Sequence, residues 1–124
     1  MGAEDVHRAA DFRCRALGYV PRDGEVEDTW VVLVPRDGGT GTRIALGLSE
    51  TPVQEHPRIH VDLYAGDAAD QAAEVDRLVS LGATRVDWDL YPHNPDFVVL
   101  ADTEGNIFCV IDTGEPVLAT EAGG

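Results

Sequence analysis

The stretch Cys14–Tyr19, "CRALGY", is echoed by Leu78–Ala83, "LVSLGA". A second echo links Thr29–Val34, "TWVVLV", to Asp96–Ala101, "DFVVLA". Leu17-Gly18 against Leu81-Gly82, and Trp30 against Phe97, place the repeat at roughly 64 to 67 positions. A repeated unit of this kind is a supersecondary module whose apolar face needs a neighbour to cover it. The chain is therefore expected to fold as two similar modules within one domain.

The first module reads as helix, then strands. Val6, Ala9, Ala10, Arg13 and Leu17 recur near helical spacing over Ala3–Leu17, Phe12 and Ala16 widen the apolar side, and Gly18 is a natural stop. "DTWVVLVPRD" reads as a strand ending at Pro35, "GGTG" as a turn and "TRIALGLSE" as the returning strand. The second module opens with a strand, "RIHVDLYA", in which Ile59, Val61 and Leu63 share one face and His60, Asp62 and Tyr64 the other. "DAADQAAEVDRLVSLGA" reads as a helix with Ala72, Val75, Leu78 and Val79 as its buried stripe and Gly82 at its end. "TRVDWDLY", "FVVLAD" and "NIFCVID" read as three strands, the last two joined by a tight turn in which Gly105 can take a positive φ. Module one spans about 3–50, a linker 51–57, module two about 58–112 and a tail 113–124, with "ATEAGG" expected to fray. No strand is legible ahead of the first helix. The fold class is α+β: a curved mixed sheet around a concave cavity, with the first strand of module one missing from the pattern.

Hydrophobic residues make up 44% of the chain, a globular composition. Nine basic residues against 23 acidic ones give a formal charge of −14. That field repels a phosphate backbone, so nucleic acid is not an expected partner, whereas a cationic small molecule would be attracted. Two cysteines are too few for a disulfide framework and point to free thiols in the cytoplasm. No run approaches the ~20 apolar residues of a membrane span, and the acidic start "MGAEDVHRAADF" is unlike a signal peptide.

"RIHVDLYAGD", "EVDRLVSLGATRV" and "FVVLADTEGNIFCVI" together resemble the second module of the glyoxalase/bleomycin-resistance group, the vicinal oxygen chelate superfamily, and in particular its glyoxalase-like domain branch. "HRAADFRCRALGY" resembles the first helix of that pattern, so the likeness spans roughly residues 7 to 112. The resemblance implies paired βαβββ modules, homodimers and a ligand cavity within the sheet. In the enzymes of the family it implies a divalent metal held by His and Glu residues from both modules, which polarises substrate oxygens. Other members bind and sequester drugs without a metal.

Carried over residue by residue, the resemblance places His60 at the ligand position that opens the second module. Cys109 stands where metal-using members have a glutamate. One His and one Cys are too few for a divalent site, which needs three or more protein ligands. The expectation is therefore no cofactor, with Zn, Ni, Fe or Mn as the alternative. His60 is a metal ligand, a general base, or a cavity histidine hydrogen-bonded to Asp62 or Tyr64. Asp62 orients His60, lines a pocket for a cation, or is simply solvated. Cys109, between Ile107 and Ile111 in alternation, reads as a quiet apolar wall rather than a nucleophile. Trp30, Tyr64, Trp88 and Tyr91 could cradle a planar or cationic ligand, although Trp30 heads a buried-looking strand and Trp88 shares an apolar face with Val86 and Leu90. The ligand-binding set is thus His60, Asp62, Tyr64, Trp88 and Cys109, and His60 is the catalytic candidate. The expected protein binds a small organic molecule, sequestering a drug or natural product, and forms a homodimer through an open sheet edge. The rival is a lyase or isomerase acting next to a carbonyl.

Overall fold

A computed structural model describes residues 1–115 of the chain. The expected frayed end, Ala119–Gly124, lies outside the described residues. The chain divides into two compact units. One comprises Met1–His56 together with the distant turn Asp102–Asn106, and the other comprises Pro57–Ala101 and the chain from Ile107.

The first unit runs β1 (Gly2–Ala3), α1 (Val6–Leu17), β2 (Tyr19–Pro21), β3 (Trp30–Pro35) and β4 (Ile44–Leu48). Its sheet has the order β1-β4-β3-β2, with β1 parallel to β4 and the other pairs antiparallel. Asp5 starts α1 by accepting the Arg8 N–H, and Gly18 ends it at φ 69°, a left-handed turn that glycine adopts without a Cβ clash. Ala9 and Ala10 bring the helix close to the sheet, where Val6, Ala3, Val31, Leu33 and Leu46 complete a core. Each of the larger aliphatic side chains there contributes about 1.5–3 kcal/mol by leaving water.

The second unit runs β5 (Val61–Tyr64), α2 (Ala68–Ser80), β6 (Thr84–Arg85), β7 (Phe97–Ala101) and β8 (Ile107–Ile111). Its order, β5-β8-β7-β6, and its parallel β5–β8 pair repeat the plan of the first unit. Asp67 and Asp70 form a reciprocal capping box at the start of α2. The fold is α+β, with two mixed four-stranded sheets, each carried by a βαβββ module.

The structure corrects several expectations. The missing strand of module one is present as Gly2–Ala3, parallel to Gly47–Leu48. Two small residues carry no period, so they could not be told from a helix start. With β1 in place, the outer strand on that side of the sheet is β1 rather than β4. The strand Tyr19–Pro21 was not expected, since three residues between a glycine stop and a proline leave no alternation to read. In "TRVDWDLY" the strand is limited to Thr84 and Arg85, and Val86 adds one N–H bond to the Val99 carbonyl at 3.3 Å. Trp88 is therefore half-buried in a loop, with Asp87, Asp89 and Leu90 exposed, and is not on a strand face. His60 and Ile59 precede β5, and Ile59 is 88% exposed. Trp30 is half exposed, because Val31 and Leu33 take the inward positions of β3. On α2 only Val75 and Leu78 of the expected stripe are buried, while Ala72 and Val79 are open to solvent. The turn between β7 and β8 is as expected, with Gly105 at φ 85°.

Candidate functional site

Parallel pairing of β5 with β8 sets Asp62 opposite Cys109, and antiparallel pairing of β7 with β8 sets Val99 opposite Cys109 from the other side. Asp62, Cys109 and Val99 thus form a row across three strands. They lie on the face opposite Phe108 and Val110, which are fully buried. His60, just ahead of β5, reaches back so that its Nε2 lies 3.2 Å from Asp62 Oδ1. The His60 nitrogen, the Asp62 carboxylate and the Cys109 sulfur each offer one ligand atom, and these atoms lie within 4.8 Å of one another.

The three groups differ in environment. The side chains of His60 and Asp62 are 41% and 38% exposed, whereas Cys109 is 5% exposed. Burial, and after it the nearby Asp62 charge, pushes the Cys109 thiol up to about 11. Without a cation beside it, Cys109 is a protonated and weakly nucleophilic wall residue. Tyr64 follows two positions after Asp62 on the same side of β5 and is largely exposed. Tyr91, read as part of an aromatic cradle, accepts the Val99 N–H through its hydroxyl at 2.7 Å and stacks at a tilt on Phe97. It closes the ladder of β7 where β6 stops.

The corresponding face of the first unit is chemically empty by comparison. Gly2 and Trp30 both pair with Gly47, again a row across three strands. It faces away from the core that Ala3, Val31 and Leu46 share with α1. A Cβ on Gly47 would lie 3.1 Å from the Trp30 ring, so the indole covers the glycine backbone. Neither this row nor the neighbouring Val32–Ala45 pair, which matches Val99 and Cys109 in the repeat, supplies a metal-ligating side chain.

The family model for the glyoxalase-like domain matches residues 1–111. The chain belongs to this family. Among solved structures, it is similar to a glyoxalase-related enzyme from Fulvimarina pelagi, at 17% identity and a TM-score of 0.63, covering 90% of this chain and 82% of the other. A glyoxalase/bleomycin resistance protein/dioxygenase family enzyme from Burkholderia phytofirmans matches at 15% identity and a TM-score of 0.66, covering 89% and 91%. The fosfomycin resistance protein FosX from Listeria monocytogenes, in complex with Mn(II) and a dihydroxypropylphosphonic acid, matches at 11% identity and a TM-score of 0.64, covering 100% and 93%. At these identities the likeness is one of fold. The comparison with curated proteins returned no match. No helix among the described residues is long and apolar enough to cross a membrane.

A divalent ion, the cofactor of metal-using glyoxalase-like proteins, can be tested against the donors present. Ligands on one tetrahedral ion, with bonds of ~2.0–2.3 Å, sit roughly 3.3–3.8 Å apart. The His60–Asp62 separation of 3.2 Å is close to that spacing, and both side chains are exposed enough to adjust toward Cys109. The donor set of nitrogen, oxygen and sulfur fits a borderline-soft ion. The sequence count of one His and one Cys fell short because Asp62 joins them only through strand pairing.

Proposed function

We propose that this glyoxalase-like protein binds an organic small molecule against the His60–Asp62–Cys109 face of its second module, as a sequestering or resistance protein. The observation that carries this reading is an exposed His–Asp pair beside the buried Cys109 sulfur, with the largely exposed Tyr64 ring on the same side of the strand. Such a surface combines a few placed polar groups with apolar area, the usual make-up of a ligand site. The formal charge of −14 favours a cationic ligand over an anionic phosphonate. Isothermal titration with a bleomycin-type cationic drug tests the reading. Binding that weakens in Asp62→Asn supports it, and no heat with that drug or with other cationic aromatic drugs at millimolar concentration overturns it.

A second reading, a lyase or isomerase acting next to a carbonyl, is favoured by the convergence of three donors. His60, Asp62 and Cys109 would hold the divalent ion, which supplies Lewis-acid polarisation of a carbonyl oxygen when bound. Outside such a role His60 is placed to move a proton, with Asp62 fixing its ring orientation. Solvent deuterium incorporation next to the carbonyl of an α-hydroxycarbonyl compound would establish this reading in place of the first.

A further inference from the structure

The geometry points to a thiophilic cation site built by the second module alone, in which Cys109, Asp62 and His60 select Zn(II) or Co(II) over Mn(II). Three observations carry it. The sulfur of Cys109 is buried between Asp62 on β5 and Val99 on β7, so an ion seated there has a soft donor beneath it and an apolar neighbour beside it. The carboxylate and imidazole close over that sulfur from the solvent side, with their donor atoms and the sulfur within 4.8 Å of one another. Among the described residues no other group of three His, Cys, Asp or Glu side chains converges in this way, although the chain carries 23 acidic residues. The acidic surface as a whole therefore does not produce such clusters, and this one contains the buried thiol.

The matching row of the first unit, in which Val32 stands opposite Ala45, offers no donor. All three protein ligands therefore come from one module. A carboxylate in place of Cys109 would suit a hard ion, whereas sulfur shifts the preference toward zinc and its spectroscopic surrogate cobalt. Three protein donors with a solvent-facing side leave one coordination position open, the arrangement of a site that can accept a further ligand. The site stands whether the protein sequesters its ligand or transforms it.

The test uses the full chain, reduced and stripped of metal, titrated separately with Co(II), Zn(II) and Mn(II). Cobalt is expected to give a near-ultraviolet sulfur-to-metal charge-transfer band that saturates at one equivalent. One equivalent of zinc should erase the band, and Mn(II) should compete at least about tenfold less well. Cys109→Ser should abolish the band, Cys14→Ser should keep it, and Asp62→Asn, at an exposed position that folding does not need, should weaken cobalt binding by about tenfold or more. Circular dichroism confirms that each variant is folded. If Cys109→Ser does not fold, Asp62→Asn and His60→Ala decide the matter. No charge-transfer band, a band lost with Cys14 rather than Cys109, a band insensitive to Asp62 and His60, or tighter binding of Mn(II) would each overturn the proposal.

Discussion

Arg8 and Glu104, 96 residues apart in the chain, form a two-pronged ion pair: Nε donates to Oε2 at 2.7 Å and Nη2 to Oε1 at 3.1 Å. The same carboxylate accepts the backbone N–H groups of Glu4 and Asp5, at the threshold of α1, and the Thr103 hydroxyl. Beside it, Asp102 Oδ2 meets Arg13 Nη2 at 2.7 Å with both side chains buried. Its other oxygen accepts the N–H groups of Glu104 and Asn106 and so shapes the turn.

This pairing makes the stability of the first unit depend on acid. Desolvation alone would raise the Glu104 carboxyl, but the Arg8 hydrogen bond, the Asp5 N–H, the Thr103 hydroxyl and the Arg8 charge outweigh it, lowering it from 4.5 to about 2. A folded-state value below the unfolded one stabilises the fold above pH about 4.5, and that contribution is lost as pH falls toward 2. With Arg8 half in solvent, the contribution is about 2 kcal/mol. Glu104→Gln should lose about that amount at neutral pH and show a flatter stability profile between pH 4.5 and 2 in urea titrations.

The buried pair should be less forgiving. Arg13→Met leaves the Asp102 carboxylate without its cation and should cost about 3–5 kcal/mol. Adding Asp102→Asn removes the stranded charge while its amide oxygen can still accept the turn N–H groups. The double variant is therefore expected to recover part of the loss, measured by the denaturation midpoint at unchanged slope.

Tyr91→Phe keeps the ring that packs on Phe97 and removes the hydroxyl that accepts the Val99 N–H. Val99 is almost wholly buried, so its amide loses a partner it cannot replace with water. The expected cost is about 1–3 kcal/mol. Amide exchange should accelerate at Val99 before it does at Leu100.

Gly47→Val should evict the Trp30 indole, since even a Cβ would lie 3.1 Å from its ring. In a Trp88→Phe background the remaining fluorescence reports Trp30 alone, and its emission should move to the red. The overpacking should cost about 1–3 kcal/mol. An unchanged spectrum would show that the ring does not rest on the glycine.

The elements with long periods were legible in the sequence. The two helices, the cores of β3, β7 and β8, and the turn at Gly105 announce themselves through spacing, caps and glycine. The elements made by partners were not. Gly2–Ala3 is a strand because β4 lies beside it, and in "TRVDWDLY" the strand ends at Arg85, after which the Tyr91 hydroxyl takes the Val99 N–H. The candidate site divides in the same way. Alternation put His60 and Asp62 on one side of a strand, but no local signal states that Asp62 stands opposite Cys109, because register between parallel strands is set by packing across the sheet. Arg13 was legible on the inward side of α1. The carboxylate that makes it tolerable there lies 89 residues further along.

The five residues Asp102–Asn106 belong with Met1–His56, although the strands on either side of them do not. The duplication therefore cannot be undone with scissors. A fragment cut after His56 keeps Arg8 and Arg13 and forfeits the carboxylates that face them, Glu104 and Asp102, so half of this gene would not make half of this protein.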